Sequence, residues 1–316
     1  MSRLLLRLTI ALWGGFILLV ILMGVIGQKL PIVQIIPVVT FDSPTVQLVD
    51  VNRHLTGMLR TYPSPVLDAA VSHDQQHIAF SMSTQENIHI FVGSLYEASY
   101  SQLTTDVGGT SPAWSADGKQ LAFVGLERNN KRGIYTINVN DPSSMQIVLK
   151  AGTFASPAWS PDGRQLAFAS SRYRDLPDVF VVDSECRLRC DREMMQITDE
   201  LVVDTLPVWS PDQSHIAFLS DRSGDYEIYM LDMDCMQSGE AKCSLQVPHR
   251  LRLQKLVIPF LILWSLDGQE LYFRGFDPSR NQSGLYAIDA NCYSLPTGCQ
   301  PRLIYSLSGT LRGKRG

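Results

Sequence analysis

Two arginines at matching places in a repeated pattern are the first residues whose types and spacing suggest chemistry. Arg172 and Arg222 each stand two residues after an apolar segment that ends in Ala-Phe-x-Ser. Arg174, Asp204 and Asp221 lie in neighbouring loops of the same two kinds. Side chains of mixed charge can hold a polypeptide or a glycan, and they can equally form salt bridges with one another. We predict that these five residues form a binding rim, with mutual salt bridges as the alternative.

The sequence contains none of the patterns that common catalytic mechanisms require. It has no Gly-x-Ser-x-Gly nucleophile elbow, no His-Glu-x-x-His zinc motif, no phosphate loop and no dinucleotide loop. We therefore predict no catalytic residue, no cofactor and no metal site. The alternative is an enzyme that acts on carbohydrate or a small metabolite through carboxylates of the rim.

The overall charge excludes one large class of partner. The formal net charge is −4 and the isoelectric point is near 5.9, so the chain has no basic surface of the kind that nucleic-acid binding needs. A hydrophobic content of 45% is sufficient for a large core.

The elements that must position the rim come from one unit that occurs five times. Measured from Val71 through the four later tryptophans, the copies follow one another at 43, 45, 50 and 55 residues. A period of this size is typical of radially repeated β-sheet proteins. The copies are Ala70–Phe80, Ser111–Phe123, Ser156–Phe168, Leu206–Phe218 and Ile262–Phe273.

Each unit predicts four short strands. The segment that ends in Trp is the first strand, and Ser-Pro-Asp-Gly is a tight turn in which Pro fixes φ and Gly accepts a positive φ. An apolar second strand follows, and a third and a fourth strand close the unit, as in Ile134–Ile137 and Gln146–Leu149. Four strands in roughly 45 residues make one blade of a β-propeller. We expect the tryptophans to pack between blades.

These repeats resemble the TolB-like β-propellers, whose WD40-like (PD40) unit reads P-x-W-S-P-D-G-x-x-I/L-A-F followed by D-I-Y-V-M-D. The closest copies here are Pro157–Phe168 with Asp178–Asp183, and Pro207–Phe218 with Glu227–Asp232. The resemblance covers about residues 66–306. It implies an all-β propeller that acts outside the cytoplasm and binds another macromolecule, either a protein or a glycan, without catalysis.

The residues before the first repeat predict half a blade. Val46–Val51 resembles a third strand, and Gly57–Thr61 resembles a fourth strand. Because closing the ring removes free sheet edges, we expect six positions in the ring, one of them holding this incomplete blade. A ring of five blades is the alternative. The predicted propeller spans residues 45–306, and residues 307–316 are predicted to be a disordered basic tail.

Six cysteines form three close pairs, and each pair falls between the third and fourth strands of its own blade. Local disulfides across these loops are therefore favoured, and they indicate an oxidising compartment. Metal binding by Cys-x-x-x-Cys is the alternative. The pairs are Cys186 with Cys190, Cys235 with Cys243, and Cys292 with Cys299.

The N-terminus predicts a membrane segment. Leu8–Gly27 is 20 residues without a charge, which is long enough to cross a bilayer as a helix. Arg3 and Arg7 indicate that residues 1–7 stay cytoplasmic and that the propeller lies outside. The length of the segment favours an uncleaved anchor over a cleaved signal peptide. Residues 28–44 would then form a tether.

Overall fold

The structure is a computed structural model, and it describes residues 33–39, 43–52, 55–85, 87–126, 132–150, 152–187, 189–233, 247–253, 261–295 and 298–307. Within these residues the fold is a six-bladed β-propeller made of antiparallel sheets. One helical turn, α1 (Cys190–Glu193), and one 3-10 turn, Cys292–Ser294, lie in loops.

The first blade has three strands, and the other five have four strands each, hydrogen-bonded in chain order. Blade one contains β1 (Ile35–Val39), β2 (Thr45–Asp50) and β3 (Leu55–Thr61). Blade two contains β4 (Val66–Val71), β5 (His77–Ser83), β6 (Ile88–Ser94) and β7 (Tyr100–Gln102). Blade three contains β8 (Gly108–Trp114), β9 (Gln120–Leu126), β10 (Arg132–Asn138) and β11 (Asp141–Lys150).

The last three blades follow the same order. Blade four contains β12 (Phe154–Trp159), β13 (Gln165–Ser170), β14 (Asp178–Asp183) and β15 (Met195–Gln196). Blade five contains β16 (Asp204–Trp209), β17 (His215–Ser220), β18 (Glu227–Asp232) and β19 (His249–Leu251). Blade six contains β20 (Ile262–Trp264), β21 (Glu270–Asp277), β22 (Gln282–Asp289) and β23 (Arg302–Leu307).

The core is divided into apolar clusters, and each cluster lies between two neighbouring blades. Between blades four and five, for example, Val179 and Val181 of one sheet pack against Phe218 and Tyr229 of the next. Equivalent clusters join blades one and two, two and three, three and four, five and six, and six and one. A sheet has two faces, so this arrangement buries both faces of every blade in the ring.

The repeated turn has the same hydrogen bonds in five blades. In blade four, the Ser160 hydroxyl donates to Asp162 Oδ1 at 2.6 Å, and Asp162 Oδ1 also accepts from the Arg164 amide at 3.1 Å. Gly163 has φ of +73°, which favours glycine. In blade five, the hydrogen bonds from Ser210 and Ser214 lower the pKa of Asp212 to about 2. These turns define one face of the ring, which we call the turn rim; the other face is the opposite rim.

The tryptophans pack between blades, as the sequence predicted. The Trp114, Trp159 and Trp264 indoles each donate to a main-chain carbonyl of the preceding blade, at 3.0, 3.2 and 3.3 Å. The acceptors are Ala70, Ala113 and Val208, each of which stands directly before the matching repeat position. Each indole therefore joins two adjacent inner strands.

Blade one closes the ring, but its three strands occupy the second, third and fourth positions of a blade. The inner strands of blades two to six run toward the turn rim, whereas β1 starts there. Gln34 at its start bonds to Trp264 and Leu266 of the blade-six turn, and Val39 at its end accepts from Arg274 of β21. Among the described residues, no strand lies inside β1.

This finding corrects the predicted number of strands in the half-blade and the predicted extent of the tether. The half-blade has three strands and not two, because Ile35–Val39, assigned to the tether, pairs with β2 along its whole length. Ile36 and Val38 are buried against Tyr272 and Leu285 of blade six, and this burial explains why an apolar segment outside the repeats joins the sheet. The ring has six blades, which excludes the five-bladed alternative.

Two of the three predicted disulfides lie in the described residues. Cys186–Cys190 and Cys292–Cys299 are bonded, and their sulfur-bearing side chains are buried in the clusters between blades three and four and between blades five and six. Cys235 and Cys243 lie outside the described residues.

The predicted membrane segment, residues 8–27, also lies outside the described residues, as do residues 1–7 and 308–316. Within the part of the chain that the structure describes, no helix has the length and apolar character needed to cross a bilayer.

We predict that Gln34→Ala weakens the closure of the ring. The Gln34 side chain, 7% exposed, donates to the Trp264 carbonyl at 2.9 Å and accepts from the Leu266 amide at 3.1 Å. Loss of both bonds should lower the free energy of unfolding by about 1–3 kcal/mol, measured by urea denaturation. Gln146→Ala, at an exposed position in β11, is the matched control and should change stability by less than about 0.5 kcal/mol. Equal effects of the two substitutions would contradict this account of closure.

Candidate functional site

A cavity of about 740 Å³ occupies the centre of the ring. It is lined by the inner strands of blades two to six, by the start of β1 and by the adjoining turns. Its volume is in the range of ligand-binding pockets. The equivalent second residue of each turn surrounds its mouth on the turn rim. These residues are His73, Ala116, Pro161, Pro211 and Leu266.

The lining of the cavity is mostly apolar, and prolines occur in most of the strands that border it. Pro37, Pro112, Pro157 and Pro207 lie in four of the six strands that border the cavity. Proline has no amide hydrogen, so these strands offer fewer free donors to a passing chain. The cavity is therefore suited to a ligand with apolar groups and only a few hydrogen bonds of its own.

Asp68 is the one Asp, Glu, Lys or Arg among the described residues that line the cavity. Its Oδ2 accepts from the Ser81 hydroxyl at 3.2 Å and from the Ser111 amide at 2.9 Å. The bond from Ser111 joins blade two to blade three. His73, in the turn that follows β4, is exposed at the mouth. The two ionisable side chains of the described lining, Asp68 and His73, thus both belong to blade two.

The predicted rim residue Arg222 forms a buried ion pair. Its side chain is 11% exposed and donates to both carboxylate oxygens of Asp204, at 3.1 and 3.0 Å, and Asp204 is fully buried. The guanidinium lies 5.5 Å from the ring centroid of Phe218 and 4.9 Å from that of Tyr229. A stacked and bidentate arginine is held in one position, so this pair joins the strands and loops of blade five.

The other three predicted rim residues also have partners within the protein. Arg172 donates to Asp191 at 3.2 Å, and Arg174 pairs with Asp199. Asp221 accepts from the Val203 amide at 2.8 Å. None of the five belongs to the described lining of the cavity. The structure thus places them in salt bridges and loop contacts on the opposite rim, and a binding role for them stays a prediction.

Sequence reasoning missed a buried acid close to this rim. Asp178 at the start of β14 is 2% exposed, and it accepts from Gln196 Nε2 at 2.9 Å and from the Thr198 hydroxyl at 3.4 Å. Burial, together with the neighbouring carboxylate of Asp204, raises the pKa of Asp178 to about 6. Burial also raises the pKa of Asp204. The acidic residue that begins the D-I-Y-V-M-D half of the repeat was the signal for this position.

The equivalent position is polar and buried in two other blades as well. His89 in blade two contacts the Thr104 hydroxyl at 3.3 Å, and Glu227 in blade five pairs with Arg250. In blades two and four, the Thr hydroxyl also accepts from the amide of the residue that follows this position. The repeated position therefore connects the third strand to the loop that leads to the next blade, which is a structural role.

The described residues contain no group of three or more His, Cys, Asp or Glu side chains that could hold a metal ion. Asp178 and Asp204, the two acids at the opposite rim with raised pKa values, are 2% and 0% exposed. A substrate in the central cavity would not reach either of them.

We predict that Asp178→Asn stabilises the protein at neutral pH. The folded state holds the Asp178 proton more strongly than the unfolded chain does, so the free energy of unfolding falls as pH rises from about 4 to about 6. At pH 7.5 the neutral Asn should raise it by about 1–3 kcal/mol, and near pH 4 the gain should vanish. Urea denaturation at both pH values measures this difference.

Asp175→Asn, at an exposed position in the same loop, is the matched control and should have no comparable effect at either pH. If Asp178→Asn is less stable than the unmodified chain at pH 7.5, hydrogen bonds stabilise the ionised Asp178 carboxylate more than burial destabilises it. That result would contradict the prediction.

Solved structures with the same fold include proteins of different activities. TolB from Acinetobacter baumannii is 18% identical with a TM-score of 0.67; the match covers 86% of this chain and 65% of that one. A TolB-like protein from Agrobacterium tumefaciens is 16% identical with a TM-score of 0.65, covering 83% and 88%. Oligogalacturonate lyase from Vibrio parahaemolyticus is 12% identical with a TM-score of 0.55, covering 84% and 72%. At these identities the similarity concerns the fold alone.

No curated protein sequence matches the chain significantly. The chain spans about two thirds of the length of the Acinetobacter TolB. The family model of the TolB beta propeller domain matches residues 38–187 and residues 110–245, which together are more than half of the 316 residues. With six blades and the repeated Trp-Ser-Pro-Asp-Gly turn, the chain belongs to the TolB β-propeller domain family.

Proposed function

We propose that this protein is a non-catalytic binding module that acts outside the cytoplasm and holds part of a protein partner in its central cavity. The observation that supports this most is the cavity of about 740 Å³, which has a predominantly apolar lining and a single charged side chain among the residues described. Apolar pockets with few polar groups are typical of binding sites. A buried apolar contact of this kind favours a polypeptide over a glycan, whose hydroxyl groups would need many more partners.

The location is part of the same proposal. Disulfides in the loops of blades four and six support an oxidising compartment. Residues 8–27 would anchor the chain in the membrane with the propeller outside, because their sequence is apolar over a bilayer's thickness. The full-length protein should then stay in the membrane pellet after extraction with alkaline carbonate. Release into the supernatant would contradict the anchor.

An enzyme of the propeller fold is the second candidate, since oligogalacturonate lyase shares the fold. As an enzyme, the present protein would act on carbohydrate or a small metabolite through carboxylates of the opposite rim. The purified protein should show turnover with oligosaccharide substrates if this candidate is correct, and Asp221→Asn, at a partly exposed carboxylate of that rim, should abolish the turnover.

We predict that narrowing the mouth of the cavity abolishes partner binding. Ala116 lies exposed at the mouth, so Ala116→Trp should block entry while leaving the core unchanged. Immobilised full-length protein in detergent would be exposed to envelope extract, and bound proteins would be identified by mass spectrometry. Ala98→Trp, at an exposed position of a blade-two loop away from the cavity, is the matched control.

A protein retained by the unmodified chain and by Ala98→Trp, and lost with Ala116→Trp, is the expected result. Equal retention by all three would place the binding surface elsewhere. If the unmodified chain retains only glycans, and Ala116→Trp no longer retains them, the partner is a glycan and the proposal of a polypeptide partner is wrong.

A further inference from the structure

The edge of β1 that faces the cavity is different from every other edge in the ring. In the other blades the second strand is covered by an inner strand, whereas β1 holds the second position and itself lines the cavity with Ile35, Ile36 and Pro37. Among the described residues, no strand of blade one occupies the place that inner strands hold in blades two to six.

Successive residues of a strand direct their main-chain groups to opposite edges, and this alternation determines which groups of β1 point away from β2. The Gln34 carbonyl accepts from Val51, next to the end of β2, so Ile35, Pro37 and Val39 direct their main-chain groups away from β2. Gln75 accepts the Ile35 amide at 2.6 Å, and Arg274 donates to the Val39 carbonyl at 2.9 Å. No described residue donates to the carbonyls of Ile35 and Pro37. The edge therefore offers two acceptors, two residues apart.

Complete blades show which groups these acceptors fit. In blade three the amide of Ser115, directly after Trp114, donates to the carbonyl of Gln120 at 2.9 Å, and Ala113, directly before Trp114, pairs with Ala122. Gln120 and Ala122 are the first and third residues of β9, as Ile35 and Pro37 are of β1. The amides on both sides of a tryptophan thus match the two free carbonyls.

The wall of blade six supplies the corresponding place for an indole. Three of the four repeat indoles, those of Trp114, Trp159 and Trp264, bond to the carbonyl that stands one residue before the repeat position of the preceding blade. The buried indole nitrogen of Trp209 has no acceptor among the described residues. In blade six that carbonyl belongs to Leu263, and no described indole bonds to it. Leu261 and Leu263 line the cavity there and are only partly buried.

We propose that an extended segment of the partner binds beside β1 as the inner strand of blade one, with a tryptophan packed on blade six. Its two amides next to the tryptophan donate to the carbonyls of Ile35 and Pro37, and its indole donates to the carbonyl of Leu263. The segment runs antiparallel to β1, as inner strands do. Strand addition of this kind gives affinity through main-chain bonds and selectivity through one side chain. The proposal rests on the proposed function and specifies its partner.

The probe is a peptide that copies an inner strand of this chain. Acetyl-Gly-Thr-Ser-Pro-Ala-Trp-Ser-amide has the sequence of residues 109–115. Isothermal titration of the full-length protein in detergent should show saturable binding of one peptide per chain. Two variant peptides test the contacts: one with Ala in place of Trp, and one with N-methyl groups on the amides of the residues that flank the Trp.

Each variant peptide should bind at least about tenfold more weakly, since a tenfold change corresponds to about 1.4 kcal/mol, the size of one or two hydrogen bonds. On the protein side, Leu263→Ala should weaken binding of the unmodified peptide. Leu201→Ala is the control, because Leu201 is 81% exposed and lies outside the cavity. The peptide variants test the proposal even if Leu263→Ala fails to fold.

The outcomes separate this inference from the proposed function. Binding that Ala116→Trp abolishes, but that N-methylation leaves unchanged, would keep the cavity as the binding site and overturn strand addition. Absence of peptide binding would also overturn it, and is the result expected if another segment, including the chain's own residues 308–316, holds this position. Loss of the captured partner in the mouth variant remains an independent test of the proposed function.

Discussion

The apolar contact between neighbouring blades is the interaction on which this structure depends. Each sheet is too thin to bury its own faces, so Phe80, Phe123, Phe168, Phe218 and Phe273, all fully buried, are covered by an adjacent sheet. Burying one such side chain stabilises the fold by about 1.5–3 kcal/mol. Both faces of every blade are buried only if the last contact in the ring, between blades six and one, also forms. Closure is therefore a condition for the stability of all six sheets.

The way in which the chain meets this condition shapes the cavity. Blade one contributes the second to fourth strands of a blade, and β1 buries Ile36 and Val38 against blade six. Gln34 and Arg274 then bond across the junction. Closure is achieved with side-chain contacts and without an inner strand among the described residues. The central cavity is consequently asymmetric, with an open strand edge on one side and a ring of tryptophans and prolines on the others.

The repeats made most of the fold predictable, because a unit with a similar strand and turn sequence recurs every 43 to 55 residues and specifies both the blade and its packing. The first strand of blade one could not be predicted from the repeats, because Ile35–Val39 has no turn motif and follows an apolar segment. Its place in the sheet depends on contacts with Tyr272 and Leu285, which no local sequence pattern reveals. The candidate site was predicted less well. Arg172 and Arg222 each follow the second strand of their blade. The depth of burial of Asp204, which makes Arg222 a structural partner, follows from tertiary packing. The cavity lining depends on which strand edge faces inward, and that is set by ring closure.

One edge of β1 pairs with β2 and the other faces the cavity, and amide hydrogen exchange of the full-length protein in detergent can distinguish the two edges. The Ile36 and Val38 amides point toward β2 and should exchange slowly. The Val39 amide points away from β2, where no described residue accepts it, and should exchange at least about a hundredfold faster. Equal protection of Val39 and Val38 would show that the inner edge of β1 is covered, and would contradict this account of both ring closure and the binding cavity.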